Sequence, residues 1–174
     1  MSLRIAIASV AILLGACATL QAPSALPELT SAPAAFEMSG RLSVRQGDRS
    51  DIARLRWTHK ADGDLWVVAS PLGNEVARIE SSGAGASLTR AGAPAERAAS
   101  FAELTQRLLG ASLDPAALAS WLHGGTRDET PTDWKVKVEE TQRAGAIDLA
   151  RRMSATRGDV VVRLVVDDYR ALPE

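Results

Sequence analysis

The sequence predicts a mainly β protein with some α-helix, built as a strongly curved antiparallel sheet or barrel with helices across one face. Three observations predict this fold. Several segments alternate apolar and polar residues as half-buried strands do, hairpin turn signals separate them, and one stretch with helical spacing interrupts them. With 174 residues, 46% of them hydrophobic, the chain is long enough for one such domain. A barrel of this kind can hold a small apolar ligand.

The first residues have the layout of a bacterial lipoprotein signal. Arg4 precedes an apolar run over residues 5–14, which is too short to span a membrane. The following Leu14-Gly15-Ala16-Cys17 resembles a lipobox, in which the cysteine thiol receives diacylglycerol and the signal is cut before it. We therefore expect a signal peptide over residues 1–16 and a lipidated Cys17, which is the only cysteine. An ordinary signal peptide with a chance cysteine is the alternative.

The segment after the cysteine predicts a flexible tether over residues 17–35. Residues 18–35 are rich in Ala, Pro and Ser and contain no Lys or Arg. Such a tether would hold a folded domain of residues 36–174 roughly 25 Å from a bilayer. Ala18 follows the cysteine, and by resemblance to enterobacterial sorting the absence of Asp at this position favours the outer membrane.

The first half of the folded part predicts a meander of strands. Alternating or continuous apolar patterns cover residues 40–45, 53–57, 65–69, 75–80 and 86–90. Turn chemistry separates them at Asp62-Gly63, at Ser70-Pro71-Leu72-Gly73 and at the Gly83-Ala84-Gly85 cluster. These short connections favour antiparallel neighbours.

Helical spacing follows, and then strands return. Ser100 and Glu103 form a capping box before a helix that Gly110 ends, and Asp114 with Pro115 begins a second helix. The apolar stripes are Leu104, Leu108 and Leu109 in the first helix and Leu118, Trp121 and Leu122 in the second, which Gly124-Gly125 should end. Strands are predicted again over residues 134–138, 147–156 and 160–166.

The composition argues against several functional classes. A formal charge of -1 does not suit a strongly basic nucleic-acid binder. His59 and His123 are the only histidines, and with one cysteine they leave little material for a metal site or a nucleophilic triad. We expect no enzyme activity, no metal and no cofactor. The arginines 41, 45, 49, 54 and 56 indicate either a polar strand face or a contact with phospholipid or a partner.

The turn at Ser70 places a leucine at its tip. Ser, Pro and Gly at the first, second and fourth positions are typical of a type I turn, so Leu72 should protrude. One exposed leucine is common on protein surfaces. On a molecule tethered beside a bilayer, however, a protruding leucine can also insert between acyl chains.

Several motifs together, in this order, resemble the LolB family of outer-membrane lipoprotein receptors. They are Cys17, Gly40-Arg41-Leu42-Ser43-Val44, Trp57, Ser70-Pro71-Leu72-Gly73, residues 118–124 with Trp121-Leu122, Trp134-Lys135-Val136, and Arg163-Leu164-Val165 with Asp167. The resemblance implies an incomplete antiparallel β-barrel with a helical lid around a hydrophobic cavity. It also implies a lipid-anchored protein on the periplasmic side of the outer membrane.

The function that this resemblance implies is lipoprotein delivery. A LolB protein accepts lipoproteins from the periplasmic carrier LolA and inserts their acyl chains into the inner leaflet of the outer membrane, without a nucleotide. The family's protruding leucine matches Leu72, so Pro71, Leu72 and Gly73 are the expected membrane-insertion loop. The expected partners are LolA, lipoprotein acyl chains and outer-membrane phospholipid, with no nucleic acid, and the protein is expected to be a monomer.

The candidate lining of the acyl-chain cavity is apolar and aliphatic for the most part. The candidates are Leu42, Val44, Leu55, Trp57, Leu65, Val67, Trp134 and Val136 on strands, and Leu104, Leu108 and Trp121 on the lid. An ordinary barrel core would use the same side chains. One departure is Tyr169, where relatives commonly carry Trp. The alternative function is a structural outer-membrane lipoprotein that scaffolds a partner complex.

Overall fold

A computed structural model describes residues 29–124 and 133–173, which form one nine-stranded sheet and two helices. The strands are β1 (Phe36–Gln46), β2 (Arg49–Lys60), β3 (Gly63–Ala69), β4 (Glu75–Ser82), β5 (Gly85–Arg90), β6 (Glu96–Ala98), β7 (Lys135–Ala144), β8 (Ile147–Arg157) and β9 (Val160–Ala171). The helices are α1 (Phe101–Leu109) and α2 (Pro115–Leu122). None of the helices in these residues is long and apolar enough to cross a membrane.

The sheet is antiparallel throughout and remains open. Its strand order is β6-β5-β4-β3-β2-β1-β9-β8-β7, so all neighbours except β1 and β9 are consecutive hairpin partners. Within the described residues the edge strands β6 and β7 do not pair with each other. Both helices add buried side chains to the same apolar cluster as the sheet. The predicted incomplete antiparallel barrel with helices on one face is confirmed.

Strand β1 shows how the sequence pattern selects the buried face. Met38, Leu42 and Val44 are buried, whereas Arg41 between them is exposed, because successive side chains of a strand point to opposite faces. Gly40 lies at a bulge against β9, where a Cβ would come within 2.2 Å of the Val165 carbonyl oxygen. Only glycine permits this close approach of the two strands.

The two helices begin where the capping signals predict. The Ser100 side chain accepts a hydrogen bond from the Glu103 amide, and the Asp114 carboxylate accepts one from the Ala117 amide at 2.9 Å. Helix α2 ends at Leu122, shortly before the predicted glycines. Buried Thr105 connects α1 to the segment that precedes α2, because its hydroxyl accepts a hydrogen bond from the Leu113 amide at 2.9 Å.

The last part of the predicted tether lies on the domain. Leu29 packs against the apolar core, and the Thr30 amide donates to the Asp148 carbonyl at 2.9 Å. In return, the Asp148 amide donates to the Thr30 hydroxyl at 2.9 Å. The predicted signal peptide of residues 1–16, Cys17 and the tether up to residue 28 lie outside the described residues, so the lipidation of Cys17 and the free tether stay predictions. All buried apolar side chains of the cluster belong to residues 36–166, so a chain beginning at Ala18 contains the whole core that the described residues form.

Candidate functional site

The apolar cluster between the sheet and the helices contains most of the predicted cavity lining. Leu42, Val44, Leu55, Trp57, Leu104 and Trp121 are buried in it, and Leu108, Trp134 and Val136 pack against it partly buried. Strand alternation and the helix stripes therefore bring nine of the eleven candidates to one place. Their contact with an acyl chain stays a prediction.

Two candidates on β3 were placed on the wrong face of the sheet. Trp66 and Val68 are buried in the core, so Leu65 and Val67, which alternate with them, lie on the outer face. Val67 is paired with exposed Arg56 of β2, which confirms its outward position. The run Leu65-Trp66-Val67-Val68 is apolar at every position, so its own pattern does not reveal which residues face inward. Pairing with β2, whose alternation is clear, does reveal it.

Trp66 belongs to an aromatic row that single-strand patterns did not identify. Its ring lies edge-on to Trp57, with centroids 5.8 Å apart, and to Phe101 of α1, with centroids 5.0 Å apart. The row therefore connects the sheet to the first helix. The Trp66 indole Nε1 is buried and has no hydrogen-bond acceptor among the described residues. Among the described residues it is an unpaired donor within the apolar cluster.

A hydrogen-bonded acid lies at the end of the sheet where β2 turns into β3. Asp64 accepts hydrogen bonds from Trp57 Nε1 at 2.7 Å and from His59 Nδ1 at 2.8 Å, both on its Oδ1 atom. Phe36 packs edge-on to Trp57 at 4.9 Å between centroids. This arrangement satisfies the buried indole and fixes the start of β1 over β2.

His123 and Tyr169 extend this arrangement to helix α2 and strand β9. His123 Nδ1 donates to the Ala119 carbonyl at 2.8 Å, and in the neutral ring the Tyr169 hydroxyl donates to Nε2, also at 2.8 Å. Burial lowers the pKa of His123, against the raising effect of its bond to Ala119, and nearby His59 lowers it further. Burial also raises the pKa of Tyr169. Tyr169 thus supplies a hydrogen bond to the end of α2.

The turn between β3 and β4 presents the predicted leucine to solvent. The Gly73 amide donates to the Ser70 carbonyl at 2.8 Å, and the Ser70 amide donates to the Asn74 carbonyl at 2.8 Å. Gly73 has φ of 94°, a conformation that favours glycine. Leu72 is 90% exposed. The predicted turn and its protruding side chain are present, and the insertion role of Pro71, Leu72 and Gly73 stays a prediction.

Known proteins match this chain over most of its length. The profile of the family described as Outer membrane lipoprotein LolB matches residues 34–169. Proteins named Outer-membrane lipoprotein LolB from Azoarcus sp. and Thiobacillus denitrificans are each 31% identical to it. The first match covers 92% of this chain and 91% of the relative, and the second covers 96% and 97%.

A solved structure supports the fold independently. The crystal structure of a DUF1329 family protein from Desulfovibrio piger superposes with a TM-score of 0.56, covering 80% of this chain and 86% of that one at 9% identity. At this identity the likeness concerns the fold alone. The family profile and the two relatives confirm both the resemblance and the predicted location at the periplasmic side of the outer membrane through a lipid anchor. The chain belongs to the LolB family of outer-membrane lipoproteins.

Proposed function

We propose that this protein, a lipoprotein receptor of the outer membrane, accepts lipoproteins from the periplasmic carrier LolA and inserts their acyl chains into the inner leaflet. Membership of the LolB family supports the receptor role. The observation that carries the delivery step is Leu72, which is 90% exposed on a turn closed by two backbone hydrogen bonds. The hydrogen-bonded turn holds this apolar side chain in solvent, where it does not contribute to the core. The side chain is therefore available to contact a membrane.

Uptake would use the apolar interior between the sheet and the helices. Each CH₂ group kept out of water is worth about 0.8 kcal/mol, so an acyl chain passes readily between two apolar interiors without a nucleotide. The unpaired Trp66 Nε1 would donate a hydrogen bond to an ester or amide carbonyl of the acyl chains. Net transfer then requires that this interior hold the chains more favourably than LolA does.

Release would begin with contact between Leu72 and the bilayer. Burial of one leucine side chain is worth about 1.5–3 kcal/mol, which is too little to anchor a protein permanently. It is enough to orient the loop at the surface during a transient encounter. The membrane must hold the chains more favourably still than the receptor, so the lipoprotein moves onward.

The uptake step is tested by mixing LolA loaded with a labelled lipoprotein with the unlipidated chain that begins at Ala18. Transfer of the label to this chain without nucleotide is the expected result. A fluorescent fatty acid should also bind stoichiometrically and become shielded from water. If the folded protein takes up neither ligand, the receptor function is wrong, and a scaffolding lipoprotein becomes the better description.

The release step is tested by Leu72→Glu, with Leu72→Ile as the matched control. We expect Leu72→Glu to fold and to take up lipoprotein from LolA normally, but to deliver it to vesicles at least tenfold more slowly, because a carboxylate resists entry into the acyl layer. Leu72→Ile should deliver normally. If Leu72→Glu already fails at uptake, the assignment of Leu72 to the membrane step is wrong.

A further inference from the structure

An open groove lies on the outer face of the sheet, opposite the apolar core. Its volume is about 730 Å³, and it is lined by side chains of β1 to β4 together with Asp167 of β9. Its charged lining consists of Arg41, Arg54, Arg56, Glu75 and Asp167. Val67 and Ala69, between the arginines and the turn that carries Leu72, add an apolar part. We call this feature the outer groove.

The sheet register explains why these side chains meet. Arg41 pairs with Arg54, and Arg54 pairs with Ala69 on the next strand. Arg56 is two residues from Arg54, so it lies on the same face, and it pairs with Val67. Arg41 on β1 and Arg54 and Arg56 on β2 therefore form one cationic patch beside a small apolar area.

Ion pairs neutralise only part of this patch. Arg41 makes a two-bond contact with Asp167, at 2.9 and 3.3 Å, and Arg78 makes a similar contact with Glu75, at 3.0 and 3.2 Å. Both groove carboxylates therefore already have a cationic partner. No carboxylate among the described residues lies within 4.0 Å of the guanidinium nitrogens of Arg54 or Arg56. Within the part of the chain that the structure describes, these two arginines have no anionic partner and can bind an external anion.

Three exposed apolar side chains lie close in the chain to residues that line the groove. The exposed large apolar side chains of the described residues are Ile52, Leu72 and Val76. Each lies within two residues of a lining residue of the groove: Ile52 near Arg54, Leu72 beside Gly73, and Val76 beside Glu75. Exposed apolar groups around a cationic site are typical of surfaces that bind the headgroup region of a bilayer.

We propose that the outer groove binds the phosphate group of a membrane phospholipid through Arg54 and Arg56, with a preference for anionic lipids, while Leu72 enters the acyl layer beside it. The inference rests on the proposed function, which brings Leu72 to the bilayer. It adds a polar contact that a leucine alone cannot provide. The guanidinium fork suits phosphate oxygens, and the full chain has a formal charge of only -1, so general basicity does not explain the patch.

The test measures sedimentation of the unlipidated chain from Ala18 with phosphatidylglycerol vesicles and with phosphatidylcholine vesicles at low salt. The variant is Arg54→Gln/Arg56→Gln. Its control is Lys135→Gln/Lys137→Gln, which removes the same charge from exposed positions of edge strand β7. We expect the arginine variant to bind phosphatidylglycerol vesicles about 30-fold more weakly than the unmodified chain. The lysine control should change binding by less than about threefold.

The other vesicle-binding outcomes overturn the inference. Equal losses in both variants would mean that net charge alone attracts the vesicles, and no loss would mean that the groove does not bind lipid. Uptake from LolA is measured in parallel. If the arginine variant binds vesicles normally but loses uptake, the groove is a carrier contact and not a lipid site. If only the unmodified protein's uptake from LolA fails, the proposed function fails while the vesicle result still decides the groove.

Discussion

Strand β2 connects two ends of the sheet that differ in almost every physical respect. The aromatic end comprises Phe36, Trp57, His59, Asp64, His123 and Tyr169, and the Leu72 end comprises Ile52, Leu72 and Val76 with the outer groove. At the aromatic end the rings pack on one another and the polar atoms are paired. At the Leu72 end the apolar side chains are exposed and two arginines have no carboxylate partner among the described residues.

The difference shows where this fold obtains its stability and where it leaves room for function. Phe36 contacts the rings of Trp57, His59, His123 and Tyr169, with centroids between 4.9 and 5.3 Å away, so it joins three parts of the chain. The Leu72 turn needs only its own backbone hydrogen bonds and Gly73. Its side chain is therefore free to serve a membrane without weakening the core.

The sharpest test of this contrast compares Phe36→Ala with Leu72→Ala. Phe36→Ala should lower the free energy of unfolding by about 3–5 kcal/mol, because it removes a fully buried ring from the centre of a packed cluster. Leu72→Ala should change it by less than about 0.5 kcal/mol. Urea unfolding of the chain from Ala18 measures both. Similar losses in the free energy of unfolding for the two variants would mean that the aromatic end does not stabilise the fold more than the Leu72 end does.

A second test concerns the hydrogen bonds of the aromatic end. Asp64→Ala leaves the Trp57 indole and His59 without their acceptor, and we expect a loss of about 2–3 kcal/mol in the free energy of unfolding. Asp64→Asn is the matched control, because both bonds end on Oδ1, and asparagine keeps an oxygen there. It should cost less than about 1 kcal/mol. Equal costs would show that the charge of Asp64, not its acceptor oxygen, matters.

The two ends also differ in how well the sequence predicts them. At the Leu72 end the signals are local: Ser70, Pro71 and Gly73 specify the turn within four residues, and Leu72 follows at its tip. The helix caps at Ser100 and Asp114 are equally local and were predicted correctly. Local chemistry of this kind depends only on neighbouring dihedral angles and hydrogen bonds, so a single sequence contains it.

The aromatic end depends on pairings between distant segments. His123 meets Tyr169 across 46 residues, and no local pattern predicts that contact. The prediction of which β3 residues face inward was wrong for a related reason. The apolar run of β3 fits either face of the sheet until pairing with β2 fixes the register. Strand β6 is only three residues long and has no alternation to detect. The outer groove likewise became visible only when the register placed Arg41 beside Arg54.

The smallest expected effect is a dependence of stability on pH that originates at the aromatic end. Burial lowers the pKa of His123, so the folded state keeps this ring neutral at a pH where the unfolded chain, with an ordinary value of about 6.5, already binds a proton. The unfolded state then holds more protons, and stability falls as the pH decreases. The neutral His123 ring contributes its full share to the free energy of unfolding above about pH 6.5. As the pH falls below this value, that share decreases by no more than about 1.4 kcal/mol per pH unit, until the ring is protonated in the folded state as well.

Unfolding in urea at pH 7.5 and 5.5 measures this loss, with His123→Gln as the comparison. We expect the unmodified chain to lose more stability than the variant between these two pH values, by at most about 1.4 kcal/mol, because glutamine does not titrate. His59 and Tyr169 are the other titratable groups beside His123, and both are present in each protein. An equal loss in the two proteins would assign the pH dependence to groups other than His123. A larger loss in the unmodified chain would show that burial keeps His123 neutral in the folded state, which is the form whose Nε2 accepts the Tyr169 hydroxyl.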